Sequence, residues 1–156
     1  MIPIIPGWLT TILLASSPIS ELRGAIPVAI GVYGFSPEEA YILSVLGNLL
    51  PVAPLLLFLE PVSRRLMEYK PGRRFFTWLF TRTRRRYIQD HESFGLLALA
   101  LFVAVPLPMT GAWTGCVVAF LLGFRFLQAF LAIAAGVLIA GAVVTATVVG
   151  IGWLIL

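Results

Sequence analysis

Charge is scarce in this chain of 156 residues: Asp, Glu, Lys and Arg together make up 12% of it, where soluble domains carry about a quarter. With 60% hydrophobic residues and a mean hydropathy of +0.99, an ordinary soluble globule is excluded. The single cysteine, Cys116, cannot form an intrachain disulfide and reads as a packing residue. The one histidine, His91, lies between Asp90 and Glu92 and reads as solvated surface; without a Cys/His cluster a metal site has no support. No GxSxG, HExxH or phosphate-cradling glycine loop occurs. No catalytic constellation is visible, so neither an enzyme nor a cofactor is expected. The opening MIPIIPGWLTTILLASSP has no Lys or Arg, whereas a secretory signal wants a basic leading region. It is expected to be kept as part of the fold.

The basic charge that is present is concentrated. Nine of the 11 Lys and Arg residues lie between Arg64 and Arg86, leaving Arg23 and Arg125 outside. A basic block between two apolar halves is the pattern of a cytoplasmic loop under the positive-inside rule, and it disfavours nucleic acid as a partner. Phe75, Phe76, Trp78, Leu79 and Phe80 are interleaved with these arginines, as in segments that lie along the headgroup region and contact anionic lipids. Pro71 and Gly72 mark its bend. The expected location is the cell membrane, crossed more than once, with residues 60–93 cytoplasmic.

A spanning helix needs about 20 apolar residues, and four apolar stretches differ in length and interruption. The first, Trp8 to Phe35, is broken by Pro18, Gly24 and Pro27 around Glu21 and Arg23. Its limbs, Trp8 to Ser17 and Ala25 to Gly34, are each about 15 Å of helix, half a hydrocarbon core. That is the arithmetic of a re-entrant hairpin. The second, Glu39 to Leu59, carries Gly47, Asn48, Pro51 and Pro54 and reads as one kinked crossing helix. The third, Phe94 to Phe124, is broken at Pro106, Pro108 and Gly111 into a second hairpin. The fourth, Phe126 to Leu156, is longer than a bilayer requires and must tilt, project, or bend near Gly136, Gly141 or Gly150.

The fold class expected is therefore all-α integral membrane, a single domain over 1–156, with repeat one at 8–59, a basic amphipathic connector at 60–93 and repeat two at 94–156. Gly34 and Phe35 match Gly123 and Phe124; in the same register Ala40 matches Ala129, Tyr41 matches Phe130 and Gly47 matches Gly136. A hairpin that returns to its own side plus one crossing helix is an odd number of crossings. The second copy must then be inverted, and the hairpin tips meet near the midplane.

Glu21 and Arg23 are the ionisable residues placed deep in the membrane, where each is costly and a functional candidate by default. Either they hold the hairpin in shape, or Glu21 takes a proton or cation and Arg23 anchors a phosphate or carboxylate. Thr110, Trp113 and Thr114 supply hydroxyls and an indole N–H beside freed backbone, either to a substrate or as caps of short helices. Asn48 could extend that polar centre or bond across a helix interface.

PISELRGAIPVAIG (Pro18 to Gly31) and VPLPMTGAWTG (Val105 to Gly115) resemble the hairpin motifs of the small multidrug export family of bacteria and archaea. That family is similar in layout to the DedA (VTT-domain) superfamily, in which acidic and arginine residues near two hairpin tips are tied to proton-dependent lipid transport or lipid scrambling. The resemblance implies that Glu21 is the acidic residue of the first hairpin and Pro27 the proline that follows it. DedA proteins carry an arginine in the second hairpin; this chain has none between Phe94 and Phe124, leaving Arg23 or Arg125 for an anion. The function implied is a small, proton-coupled secondary carrier that exports amphipathic compounds or moves a lipid carrier. The alternatives are a lipid scramblase or polyprenyl-phosphate translocase, and a structural or assembly membrane protein. Four short membrane elements enclose little volume, so a homodimer through the fourth stretch is expected.

Overall fold

The computed structural model describes residues 5–87, 92–107 and 110–155; Pro108 and His91 lie outside them. Among the described residues the fold is helical: α1 (Gly7–Ser16), α2 (Glu21–Gly31), α3 (Pro37–Leu49), α4 (Val52–Met67), α5 (Lys70–Tyr87), α6 (Glu92–Ala104), α7 (Ala112–Leu122) and α8 (Phe126–Ile155). Two helices among the described residues are long and apolar enough to cross a membrane, Pro37–Met67 and Phe126–Leu154. The first of these is α3 and α4 read together. It is kinked at Leu50 and Pro51, as its prolines imply, and runs past Leu59 to Met67. Pro54 falls in the first turn of α4, where a missing N–H costs nothing.

The start of α3 is set by a capping box. Ser36 accepts from the Glu39 amide, Glu39 reaches back to the Ser36 amide, and Pro37 takes the first helical position, an arrangement that satisfies two orphan donors at once.

Two expectations are corrected. The second limb of hairpin one begins at Glu21, not Ala25, so Gly24 and Pro27 lie inside α2 and the turn is Ser17–Ser20. Pro27 is tolerated there because its ring is exposed and only the Arg23 carbonyl loses its helical donor. The connector bends at Glu68 and Tyr69, ahead of Pro71 and Gly72; Pro71 sits in the first turn of α5, where proline is favoured. Of the alternatives open for the fourth stretch, a break at Gly136, Gly141 or Gly150 is not the one taken: it runs as one helix of 30 residues, about 45 Å.

The core is built from small and branched residues of α2, α3, α4, α6, α7 and α8: Leu22, Ile26, Val45, Val52, Leu99, Val103, Cys116, Ile133 and Val137. Large apolar side chains face outward instead, as on α8 at Leu127, Leu131 and Leu138. Without a hydrophobic force between helices in lipid, close approach of backbones decides packing, and two glycines provide it. A Cβ on Gly47 would lie 2.7 Å from the Ile12 carbonyl oxygen and 2.8 Å from the Ala15 Cβ of α1; on Gly136 it would lie 2.6 Å from the Ala100 carbonyl oxygen and 2.6 Å from the Val103 Cβ of α6. Each long helix thus presses on the first limb of the hairpin that precedes it. The hairpins also end alike, with Gly34 at φ +68° and Gly123 at φ +75°, backbone values that favour glycine.

Candidate functional site

The two breaks, Ser17–Ser20 and Val105–Gly111, meet. A broken helix leaves carbonyls unpaired at the end of one limb and amides unpaired at the start of the next. In this structure each break is completed partly by its own hydroxyls and partly by side chains from beside the other.

Arg23 of α2 reaches the second break. Its Nη1 donates to the Leu107 carbonyl; its Nη2 donates to the Thr110 carbonyl, to Val105 O at 3.3 Å and to Thr110 Oγ1 at 3.2 Å. The planar fork of the guanidinium suits several convergent oxygens. Thr110 knits the same segment, with its hydroxyl 2.7 Å from Val105 O and 2.9 Å from Leu107 O, and accepts from the Leu107 amide at 3.3 Å.

Glu21 reaches the start of α7. Gly111, the N-cap, has no side chain to offer the orphan amides. The Glu21 carboxylate stands over it instead, so close that a Cβ on Gly111 would fall on both carboxylate oxygens, and it accepts a hydrogen bond from the Trp113 amide. A carboxylate at a helix N-terminus is favoured by the exposed N–H dipoles. The geometry has a cost: Glu21 has φ +47°, in the left-handed region that disfavours non-glycine residues by about 1–2 kcal/mol. The carboxylate is held in place against that strain.

Trp113 returns the contact. Its indole Nε1 donates to the Ser16 carbonyl at 3.1 Å, the last carbonyl of α1. Ser20 Oγ donates to the Leu14 carbonyl at 2.6 Å and Ser16 Oγ to the Leu13 carbonyl at 3.0 Å, so three carbonyls in the last turn of α1 receive side-chain donors.

Glu21 and Arg23 do not pair with each other: among the described residues the ion pair within 4.0 Å is Arg64–Glu60. Both stand in a cleft of about 450 Å³ lined by Pro18, Ile19, Ser20, Pro106, Thr110 and Thr114. Each keeps unused capacity, since an ionised carboxylate accepts up to about four bonds and the buried Arg23 Nε has no partner. The cleft can therefore receive a cation or proton at Glu21 and an anion at Arg23. It opens outward, with Ile19 at the tip 94% exposed.

The structure brings together Glu21, Arg23, Thr110, Trp113 and Thr114, with Pro18, Pro106 and Gly111 in the breaks. Asn48 stays apart, buried on α3 with its Oδ1 unpartnered, and Arg125 is exposed in the α7–α8 connection. The serines of SSPIS escaped the sequence reading, although Ser beside Pro is a turn signal; so did Ser36 and Glu39, whose S-x-x-E spacing marks a capping box.

A family model described as "Putative small multi-drug export protein" matches residues 21–143, most of the chain and both halves of the site. No curated protein and no solved structure matches.

Proposed function

The chain belongs to the small multi-drug export family, and on that premise we propose that it is a small secondary carrier, coupled to protons, in which Glu21 exchanges a proton for substrate beside Arg23. The observation that carries this reading is the cleft itself. A carboxylate and a guanidinium stand side by side on half-helix backbone, unpaired with each other and with bonding capacity to spare. Half-helix ends around ionisable groups are how secondary transporters bind ions and substrates.

In this reading α1–α2 and α6–α7 are re-entrant hairpins and the two units are inverted relative to each other. The matching contacts of Gly47 with α1 and Gly136 with α6 support it, as do Gly34 and Gly123. The basic α4–α5 region then faces the cytoplasm.

The test is reconstitution in liposomes with an imposed pH gradient, following internal pH while organic cations and, separately, a polyprenyl phosphate are supplied. Glu21→Gln keeps an acceptor for the Trp113 amide but cannot ionise. Substrate-dependent proton movement in the wild type that vanishes in a folded Glu21→Gln supports the carrier; no movement with either substrate refutes it. The exposed tip and outward cleft favour one second reading, a lipid scramblase, which would keep its flux in Glu21→Gln without any proton gradient.

A further inference from the structure

Helix α5 has two faces. Phe76, Leu79 and Phe80 are half-buried, and the Phe80 ring meets Phe120 of α7 edge-on with centroids 5.6 Å apart. The inner face is thereby fixed to the body of the protein. The outer face carries Lys70, Arg73, Arg74, Thr77, Trp78, Thr81 and Arg82, all exposed and lining one shallow depression. They fall in two rows spaced three or four residues apart, Lys70, Arg73, Thr77 and Thr81 in one and Lys70, Arg74, Trp78 and Arg82 in the other, and so form a stripe along the helix. Among the described residues no carboxylate lies within 4.0 Å of any of these four cations. The Arg82 guanidinium rests over the Trp78 ring at 5.3 Å, and Thr81 Oγ1 donates to Thr77 O at 2.6 Å.

We propose that this stripe is a binding site for the anionic headgroups of phospholipids. Unpaired cations attract phosphate, and the Thr77 hydroxyl beside them can donate to a phosphate oxygen. The exposed aromatics decide for lipid over a soluble polyanion: Tyr69, Phe75 and Trp78 are more than half exposed beside the cations, the combination that settles at the boundary of headgroup and acyl chain. The tether agrees, because α5 follows directly from a helix long enough to cross a membrane. Each Lys or Arg near an anionic surface is worth roughly fivefold in binding at low salt.

The experiment uses the full chain in bilayers of phosphatidylcholine, with spin-labelled phosphatidylglycerol or phosphatidylcholine added and the immobilised fraction of each read by electron paramagnetic resonance. The wild type is expected to prefer phosphatidylglycerol several-fold, with the preference falling as salt rises. Arg73→Gln/Arg74→Gln should bring the preference close to one. Arg64→Gln/Arg65→Gln removes the same charge from α4, off the stripe, and should keep it. Equal loss in both pairs would reduce the effect to net charge and overturn the site. Displacement of the label by millimolar inorganic phosphate would overturn lipid as the ligand. The readout involves no transport, so it stands or falls independently of the carrier reading.

Discussion

Replacing Gly111 by alanine adds one methyl group and changes no charge, yet that methyl falls on both oxygens of the Glu21 carboxylate. The backbone does not resist, because φ −178° and ψ −170° at Gly111 are extended values open to any residue. The carboxylate is what must move. It then loses a charge-assisted bond from the Trp113 amide, worth about 1.5–3 kcal/mol, and its place at the N-terminus of α7, worth about 0.3–1 kcal/mol. Against this, Gly→Ala stabilises by about 0.4–1 kcal/mol through the unfolded chain. The net expectation is a loss of about 2 kcal/mol, or about 4–8 °C in Tm for a chain of this size. Thermal unfolding in detergent would be compared for wild type, Gly111→Ala, Glu21→Ala and the double variant. With the carboxylate gone, the added methyl should be neutral or mildly stabilising, so the cycle should show a coupling of about 2 kcal/mol. Additive effects, or a wild-type-like Gly111→Ala, would refute the claim that Glu21 caps α7.

Arg23→Gln should leave the Val105, Leu107 and Thr110 carbonyls short of donors and cost about 3 kcal/mol or more, with Arg23→Lys recovering part through its charge but not the fork; unfolding in detergent checks both. Trp113→Phe keeps the ring and removes the bond to the Ser16 carbonyl, with an expected loss of about 1 kcal/mol and faster hydrogen exchange at the end of α1. Gly136→Ala should push α8 away from Ala100 and Val103 and cost about 1–3 kcal/mol, whereas Gly150→Ala, with nothing within 4 Å, should be neutral or gain up to about 1 kcal/mol. Equal Tm values for these two alanine variants would contradict the close approach of α8 to α6.

Helix placement was legible wherever length and punctuation acted together. α6, α7 and α8 fall where the apolar stretches and Pro106 divide the sequence, and α1 ends one residue before the expected Ser17. The first turn was misplaced because Gly24 and Pro27 look like breakers, while the residue that bears the left-handed backbone is Glu21, a type with no such preference. Proximity of the charged pair to the PLPMTGAWTG segment followed from the hairpin arithmetic. The grip between them did not, because it is made by side chains on backbone oxygens and amides, and backbone groups are the same at every position. Gly111 shows the limit well: its sequence context marks a break, and only the structure shows that the missing side chain makes room for a carboxylate from 90 positions away.

The exchange of caps between the breaks also sets an order of assembly. Glu21 and Arg23 leave the ribosome long before the groups they complete, since the Arg23 acceptors at Leu107 and Thr110 lie 84 and 87 residues further on. At about 5–20 residues per second, the first hairpin waits about 4–17 s with a carboxylate, a guanidinium and the Ser16 carbonyl all lacking their final partners. A pair of charges in that condition favours water over lipid, so the first hairpin should stay shallow, or be sheltered by the insertion machinery, until the second arrives. The amino-terminal half of this protein is then finished only by its carboxy-terminal half, and a chain stopped before Thr110 should be a substrate for membrane quality control rather than a stable half-fold.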